Sequence, residues 1–348
     1  MEISVANYKI MLNGNEFTQD LMSAVEGITV EDEINLPSMF SIQLNMVDSK
    51  NGKWRGIDLK TFKPGDKITV SLGLDKVETM IKGEITSLDL NLGKHSLLEI
   101  RGYDLLHRLR MGTRNKVFTK KKDSEIASEI AREHGLTPQV DDTKTIYPYI
   151  FQNNQSNYEF LLKRAAYLDY ELYADDKTMY FVKSRASKAP ELPEMEYKTG
   201  FDELNLDLRT LTRGSEVVVR GWDVKEKKVM EATAKKGDET SKMGGSESGL
   251  ELSASSVEKS PTAFWVENLM DLNEAQSAAK AAYNSLLKEF ISGEGKCSMG
   301  NPLLRAGKAV KLLGIDERFS GIYYIVSTIH NIDSKGYTTI FKVKRTGI

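Results

Sequence analysis

The chain has 348 residues, which is long for one hydrophobic core, so two or more domains are expected. Charged residues make up 28% and the hydrophobic set 40%, and the formal net charge is −2. That balance is ordinary for a globular protein and gives no general positive excess for holding specific nucleic acid or an anionic membrane.

A single cysteine, Cys297, excludes an intramolecular disulfide framework and any CxxC zinc or redox motif. It suits assembly in a reducing cytoplasm. The start, MEISVANYKIMLNGNE, lacks a basic region followed by an apolar core, so no signal peptide is expected. No apolar run approaches the roughly 20 residues of a membrane helix, so direct membrane insertion is not expected.

Residues 1–105 read as β. Phe40, Ile42, Leu44 and Met46 alternate with polar residues, as do Ile68, Val70 and Leu72. Asn13-Gly14 and Pro64-Gly65 supply turns, and short strands with regular turns favour a barrel or sandwich. DSEIASEIAREHG then predicts a helix capped by Asp123 or Ser124 and ended by Gly135. Ser156 and Glu159 form a capping box ahead of a second helix. ELYAD and MYFVK follow as short strands joined through Asp176-Lys177. Strand character returns at 216–220. The polar stretch 227–262 reads as loop or insertion. A third helix is expected, with Asn273 and Gln276 resembling a capping box, an apolar face from Ala279 to Phe290, and Gly293 as its stop. Further alternating strands end the chain.

Two distant β segments resemble each other. Pro64–Asn91 and Ala306–Asp333 both run turn, strand, glycine, polar loop, glycine, strand. Gly65 is matched with Gly307, Gly73 approximately with Gly314, and Gly83 with Gly321. RGYD (101–104) and RGWD (220–223) each end an apolar strand. Glycines at such places allow positive φ or a close backbone approach. One barrel pattern used twice predicts that three chains present six similar barrels around an axis.

Candidate chemistry is sparse. His95, His107, His134 and His330 form no HExxH or other close pair. His330 is expected to make structural hydrogen bonds, and His134 to cap helix carbonyls. Glu31-Asp32-Glu33 and Asp141-Asp142 could suggest a glycosidase, but neighbouring acids of this kind are expected to form a solvated edge. The runs Lys120–Lys122 and Lys225–Lys228 read as solvated loops. Trp54, Trp222 and Trp265 could serve a glycan-binding surface but are expected in core or interface. GxSxG and Walker-type motifs are absent from the sequence. The expectation is therefore no enzyme, with no catalytic, cofactor or metal site.

Residues 151–183 and 300–341 resemble the phage late control gene D proteins, which include contractile-tail baseplate hubs and the hub portion of type VI secretion spikes. Gln152, Tyr158, Phe160, Leu161, Tyr170, Glu171, Leu172, Tyr180 and Phe181 carry the first match. Asn301, Pro302, Gly307, Gly314, Phe319, Gly321, Tyr323, His330, Gly336, Tyr337 and Phe341 carry the second. The resemblance covers nearly the whole chain. It implies a mainly β protein with an α+β insertion: two similar tube-forming β-barrels and a small α/β domain, assembled as a trimeric, pseudo-hexameric ring. The expected division is 1–108 for the first barrel, 109–198 for the α/β domain, 199–226 with 296–348 for the second barrel, and 227–295 for an insertion. The implied role is a homotrimeric adaptor between a sixfold tail tube protein and a threefold spike, forming part of the central channel. Secretion-system relatives continue into a further barrel and a needle, whereas this chain stops at Ile348, so the spike is expected to be a separate protein. The other implied partners are baseplate components. The particle would be a phage tail, a tail-like bacteriocin or an injection particle assembled in the bacterial cytoplasm. The rival readings are a cell-wall hydrolase and a glycan-binding module.

Overall fold

The computed structural model describes residues 6–47, 54–93, 96–209, 216–223, 226–254, 262–265 and 272–348. Strands β1 (Ala6–Leu12) and β2 (Asn15–Glu16) form a hairpin before the short helix α1 (Gln19–Ala24). Then come β3 (Val25–Glu33), β4 (Met39–Asn45), β5 (Lys67–Leu74), β6 (Lys76–Asn91) and β7 (Leu97–Asp104). The middle holds β8 (Arg114–Lys121), α2 (Asp123–Glu133), β9 (Thr137–Val140), β10 (Tyr147–Gln155), α3 (Asn157–Leu168), β11 (Tyr170–Asp175) and β12 (Thr178–Lys183). Next are β13 (Met195–Glu196), β14 (Glu203–Leu208), β15 (Val217–Asp223), β16 (Lys228–Ala234), α4 (Gly249–Ala254), β17 (Thr262–Trp265) and α5 (Leu272–Leu287). The chain closes with β18 (Ile291–Cys297), β19 (Ala309–Leu313), β20 (Gly321–Asp333) and β21 (Gly336–Arg345).

The protein is mainly β, and its largest element is a 13-stranded sheet. The main path of that sheet runs β14-β18-β21-β20-β3-β4-β7-β6-β5-β1-β2, with β19 and β13 branching from β20. The alternating residues of the first half point into one core: Ile28, Val30, Phe40, Ile42, Leu44, Ile68, Val70 and Leu72 are all buried. A second core lies under β18–β21 and takes in Val310, Leu312, Tyr323, Ile325, Phe341 and Val343. Ile332 and Tyr337 belong to the second half in sequence but bury in the core of the first. The antiparallel pairing of β20 with β3, from Ser327 opposite Glu33 to Ile332 opposite Ile28, fuses the halves.

A separate core binds the segment between them. Phe118, Ile126, Ile130, Phe160, Leu161, Leu172 and Phe181 pack together there. The Ser156–Glu159 capping box forms as expected: the Ser156 hydroxyl accepts from Glu159 N at 3.1 Å, and Glu159 accepts from Ser156 N at 2.8 Å. Asp169 ends α3 in the left-handed conformation, φ 54°. Tyr170–Asp175 and Thr178–Lys183 pair as the expected hairpin.

Several expectations need correction. Helix α2 is capped by neither Asp123 nor Ser124. Asp123 forms a bidentate pair with Arg164 at 2.6 and 2.8 Å, and Ser124 bonds Thr143. Asn273 lies inside the first turn of α5, and Gln276 bonds the Thr233 carbonyl at 2.9 Å rather than capping. Gly293 sits in β18 opposite Leu206 and does not stop the helix. The polar stretch 227–262 contains β16 and α4, while 255–261 lie outside the described residues. RGYD and RGWD each end a strand, β7 and β15, as expected, but β15 joins β16 and β17 in a three-stranded sheet instead of the large one.

Candidate functional site

The region that sets this fold apart is the seam where the two halves of the large sheet meet. Each half contributes a three-strand meander, β5-β6-β7 and β19-β20-β21. Gly65 N–H donates to the Ile85 carbonyl at 2.8 Å, and Ile85 N–H donates to Asp66 at 2.9 Å. Gly307 N–H donates to Ile325 at 2.8 Å, and Ile325 N–H donates to Lys308 at 2.9 Å. One residue later both meanders bulge, at Thr86 between Ile85 and Ser87 and at Val326 between Ile325 and Ser327. The repeat is thus geometric, down to a shared bulge.

Its glycine correspondence shifts, however. Aligning Ile85 with Ile325 puts Gly83 beside Tyr323, and Gly321 falls two places earlier. Gly73 is not a turn residue either. It lies in β5 opposite Val77, where a Cβ would stand 1.9 Å from the Lys76 carbonyl oxygen. Gly83 tolerates a similar approach, 2.3 Å, from the Tyr103 oxygen. Gly314 does turn the chain, with φ +74°. Gly321 opens β20, where a Cβ would meet the Arg345 guanidinium at 2.6 Å.

The seam itself is polar inside. His330 is fully buried. Its Nδ1 lies 2.9 Å from the Tyr337 hydroxyl and 3.1 Å from Thr339 Oγ1, and its Nε2 lies 2.9 Å from the Leu304 carbonyl. Burial pulls its pKa down to about 4, so the ring is neutral near pH 7. The structural role expected for His330 therefore has a definite set of partners. Asn301 N–H donates to Thr339 Oγ1 at 2.9 Å, and Pro302 occupies the adjoining turn. Tyr323 is buried, with its hydroxyl donating to the Phe319 carbonyl at 2.7 Å.

Asp32 contradicts the solvated-edge reading of Glu31-Asp32-Glu33. β3 is an interior strand between β4 and β20, and Asp32 is 5% exposed. Its Oδ2 accepts from Arg305 Nε, while Arg305 Nη2 donates to the Met80 carbonyl at 2.6 Å. Arg305 therefore ties β3 to β6 from outside both strands. Sequence reasoning missed it because nothing local marks it.

The middle segment docks on the same region. Tyr158 donates to the Asn35 carbonyl at 2.5 Å, and Asn35 Oδ1 accepts from Leu172 N at 2.8 Å. Glu171, buried, accepts from Tyr324 at 2.6 Å and from Ser184 at 2.8 Å. Gln152 is fully buried and donates to Gln155 O and Asn157 Oδ1, both at 3.0 Å. Phe160 stacks on Phe118 at 5.6 Å, and Tyr170 lies against Phe181 at 5.3 Å. Tyr158, Glu171 and Leu172 thus bond across to Asn35 and Tyr324, whereas Gln152, Phe160, Tyr170 and Phe181 bond or pack within the middle segment.

Other candidates are dispersed. His107 bonds the Asp104 carbonyl at 2.7 Å, His134 lies 2.9 Å from Asn157 Nδ2, and His95 is outside the described residues. Burial pushes the Cys297 thiol up to about 12. Lys120 and Lys121 belong to β8 rather than a loop. Lys121 pairs with Glu129, and Lys122 pairs with Asp142 at 2.9 Å. Lys225 is outside the described residues, and Lys228 begins β16. Trp54 and Trp222 are half-exposed rather than core; Trp54 makes an isolated bridge with Val47, and Trp222 lies in β15. Among the described residues no group of three or more His, Cys, Asp or Glu is placed to hold a metal. No described helix is long and apolar enough to cross a membrane.

This architecture is the fold of phage-type tail proteins. The chain aligns with the 43 kDa tail protein of prophage MuSo2 from Shewanella oneidensis at 13% identity and TM-score 0.72, covering 98% of each chain. A tail protein of Neisseria meningitidis aligns at 12% identity and TM-score 0.70, covering 98% of this chain and 97% of that one. An E. coli type VI secretion component, described as structurally similar to the T4 bacteriophage tail proteins gp27 and gp5, aligns at 12% identity and TM-score 0.61, covering 97% of this chain and 77% of that one. By sequence the chain belongs to the family described as the Alg8 N-terminal domain, whose model matches residues 2–334. That description is not the late control gene D family, and it names no activity. No curated protein matches the sequence.

Proposed function

We propose that this chain is a structural baseplate hub of the late control gene D type: a homotrimer that adapts a sixfold tail tube to a threefold spike and lines part of the channel. The two halves of the large sheet are read as the two tube-forming barrels, and the middle segment as the α/β domain. The observation that carries the reading is the pair of meanders with matching glycine–isoleucine hydrogen bonds and bulges, joined by β3 and β20 into one sheet. Two similar units rigidly fixed in one chain are what a threefold assembly needs to present six similar positions. The tail-protein fold supports the same reading. So does an exposed apolar face on the ribbon β8-β10, where Phe151 stands opposite Val117 and Tyr149 lies two residues along. Exposed apolar patches of this kind mark contact surfaces.

The hub reading assigns no catalytic step to the chain. The tube protein, a separate spike and other baseplate components are its partners, and a phage tail or tail-like particle assembled in the bacterial cytoplasm is its location. The test is the solution mass, by light scattering after size exclusion, of the chain alone and with a candidate spike. A trimer, or a monomer driven to a complex of three hubs with three spike chains, supports the adaptor. A monomer that stays a monomer and ignores the spike overturns it.

A further inference from the structure

The large sheet repeats its own strand order. Aligning Ile85 with Ile325 matches β6 with β20, and the registers then carry β7 onto β21, β4 onto β18 and β3 onto β14 without a slip. Val30 faces Phe40, Phe40 faces Gly102, and Gly102 faces Ile85. In the same places Leu206 faces Gly293, Gly293 faces Val343, and Val343 faces Ile325. The sheet path is thus the set β14-β18-β21-β20 followed by its counterpart β3-β4-β7-β6. Within the chain, the last strand of the first set, β20, pairs antiparallel with the first strand of the second, β3. Their counterparts β6 and β14 stand at the outer ends, and each has a free edge. Among the described residues β14 pairs with β18 alone. Beyond Ile85, β6 pairs with β7 alone, because β5 and the turn before it reach no further.

The two free edges match. Carrying the β20–β3 register onto them sets Leu88, Leu90 and Leu92 opposite Leu208, Leu206 and Leu204, and Asn91 opposite Asn205. In the seam the corresponding residues are buried: Thr328, His330 and Ile332 on one strand, Asp32, Val30 and Ile28 on the other. At the free edges Leu90 is 43% and Leu92 62% exposed, and the three β14 leucines are only partly buried. Asn91 and Asn205 take the places of Asn331 and Thr29, whose side chains bond across the seam at 3.0 Å. Asp89 opposite Asp207 is the least favourable pairing, but each aspartate brings a cation. Arg101 holds Asp89 at 2.7 Å, and Arg209 holds Asp207 at 2.6 Å while falling opposite Ser87, diagonal to Asp89. A free edge that also exposes leucines is a template for a further strand.

We propose that β6 of one protomer pairs antiparallel with β14 of a second copy of this chain, from Ser87 opposite Arg209 to Leu92 opposite Leu204. The joint between chains then repeats the joint that β20 and β3 make within one. Every copy carries one edge of each kind, so the pairing is head-to-tail and closes as a ring. The inference rests on the hub reading only for the number of copies, three; the joint follows from the registers.

Engineered cysteines test the register. Directly opposed strand residues lie within disulfide reach, whereas diagonal ones do not. Mild oxidation of Asn91→Cys with Asn205→Cys should give covalent species up to the trimer on non-reducing gels. Asn91→Cys with Glu203→Cys, and each single variant, should not. Leu90→Asp with Leu92→Asp alters only exposed side chains, so the fold should survive, while association read by light scattering weakens at least about tenfold. Absence of trapping by the opposed pair overturns the proposal, and for a monomeric wild type this holds equally, because oxidation captures encounters. Equal trapping by the diagonal pair, or association unmoved by the two aspartates, also overturns it. A trimer that does not trap here keeps the hub and removes the joint. A chain that traps here yet ignores the spike keeps the joint and removes the hub.

Discussion

Gly65 and Gly307 hold the same place in the two meanders, each donating its N–H at 2.8 Å to an isoleucine carbonyl one residue before a bulge. Both have positive φ, +91° and +82°, which a side chain adopts only with strain. Their surroundings differ. Nothing lies within 4 Å of a Cβ at Gly65, whereas at Gly307 a Cβ would stand 2.1 Å from Arg185 Nη2.

That difference predicts unequal costs for one substitution made twice. Gly65→Ala should cost about 1 kcal/mol, the left-handed penalty alone. Gly307→Ala should cost about 2–3 kcal/mol, because Arg185 must also move off Glu171 and Tyr173. Urea unfolding midpoints measure both. Equal losses would mean that Arg185 yields without cost and that the two sites are energetically alike.

What the sequence reveals here is local. Ser156 and Glu159 are three residues apart, so their box can be read directly, and so can the hairpin through Asp176-Lys177. The β-branched run Val217–Val219 marks a strand but cannot say which sheet it enters, and β15 pairs with β16 and β17 rather than with the large sheet. Asp32 is a stronger case. Its partner Arg305 is 273 positions away, and without that partner an acidic triplet reads as solvated. The seam is equally remote in sequence, with Thr29 bonded to Asn331 at 3.0 Å across 302 positions. The glycines of the repeat fall out of step because its two copies differ in loop length, which only the hydrogen bonds resolve.

Removing Arg305 should expose how the seam is held. Arg305→Met leaves Asp32 buried without its cation and frees the Met80 carbonyl, so a loss of about 3–5 kcal/mol is expected. Adding Asp32→Asn should recover about 1–2 kcal/mol, since the uncompensated charge is then gone. Urea denaturation of the single and double variants measures this. A double variant less stable than Arg305→Met would show that Asp32 matters for something other than that pair.

Two buried groups should oppose each other in the pH dependence of stability. Burial raises Asp104 from 3.8 to about 7, against two backbone N–H bonds from Ser38 and Leu106. The folded state then holds its proton more tightly, so this contribution is full below pH 4 and is lost as pH rises through 7. His330 is lowered from 6.5 to about 4 by burial, so its contribution is full above 6.5 and is lost as pH falls through 4. Each is worth on the order of 3 kcal/mol. Glu251, lowered from 4.5 to about 2 by its lysine partners, acts below this window. The wild type should therefore be nearly flat between pH 5 and 7. His330→Gln should be less stable throughout and should lose further stability as pH rises over that range. Identical pH slopes in the two proteins would remove His330 from the balance.

Helix α5 is fastened to the middle segment through Tyr147, whose hydroxyl donates to Glu274 at 2.6 Å. Arg164 lies 4.8 Å over the Tyr147 ring while holding Asp123, so the tyrosine links a charged pair in one unit to a carboxylate in another. Tyr147→Phe keeps the ring and the cation contact but removes the donor, at a cost of about 1.5–3 kcal/mol for a bond to a charged group. The loss should be local, because α5 packs mainly on β15 and β16, which stand outside the large sheet. Hydrogen exchange should therefore quicken at amides of α5, β15 and β16 while those of β5 and β6 keep their protection. Uniform quickening across both sheets would mean that α5 with its three-stranded sheet and the seam unfold as one unit, and that Tyr147 supports the whole fold rather than a joint within it.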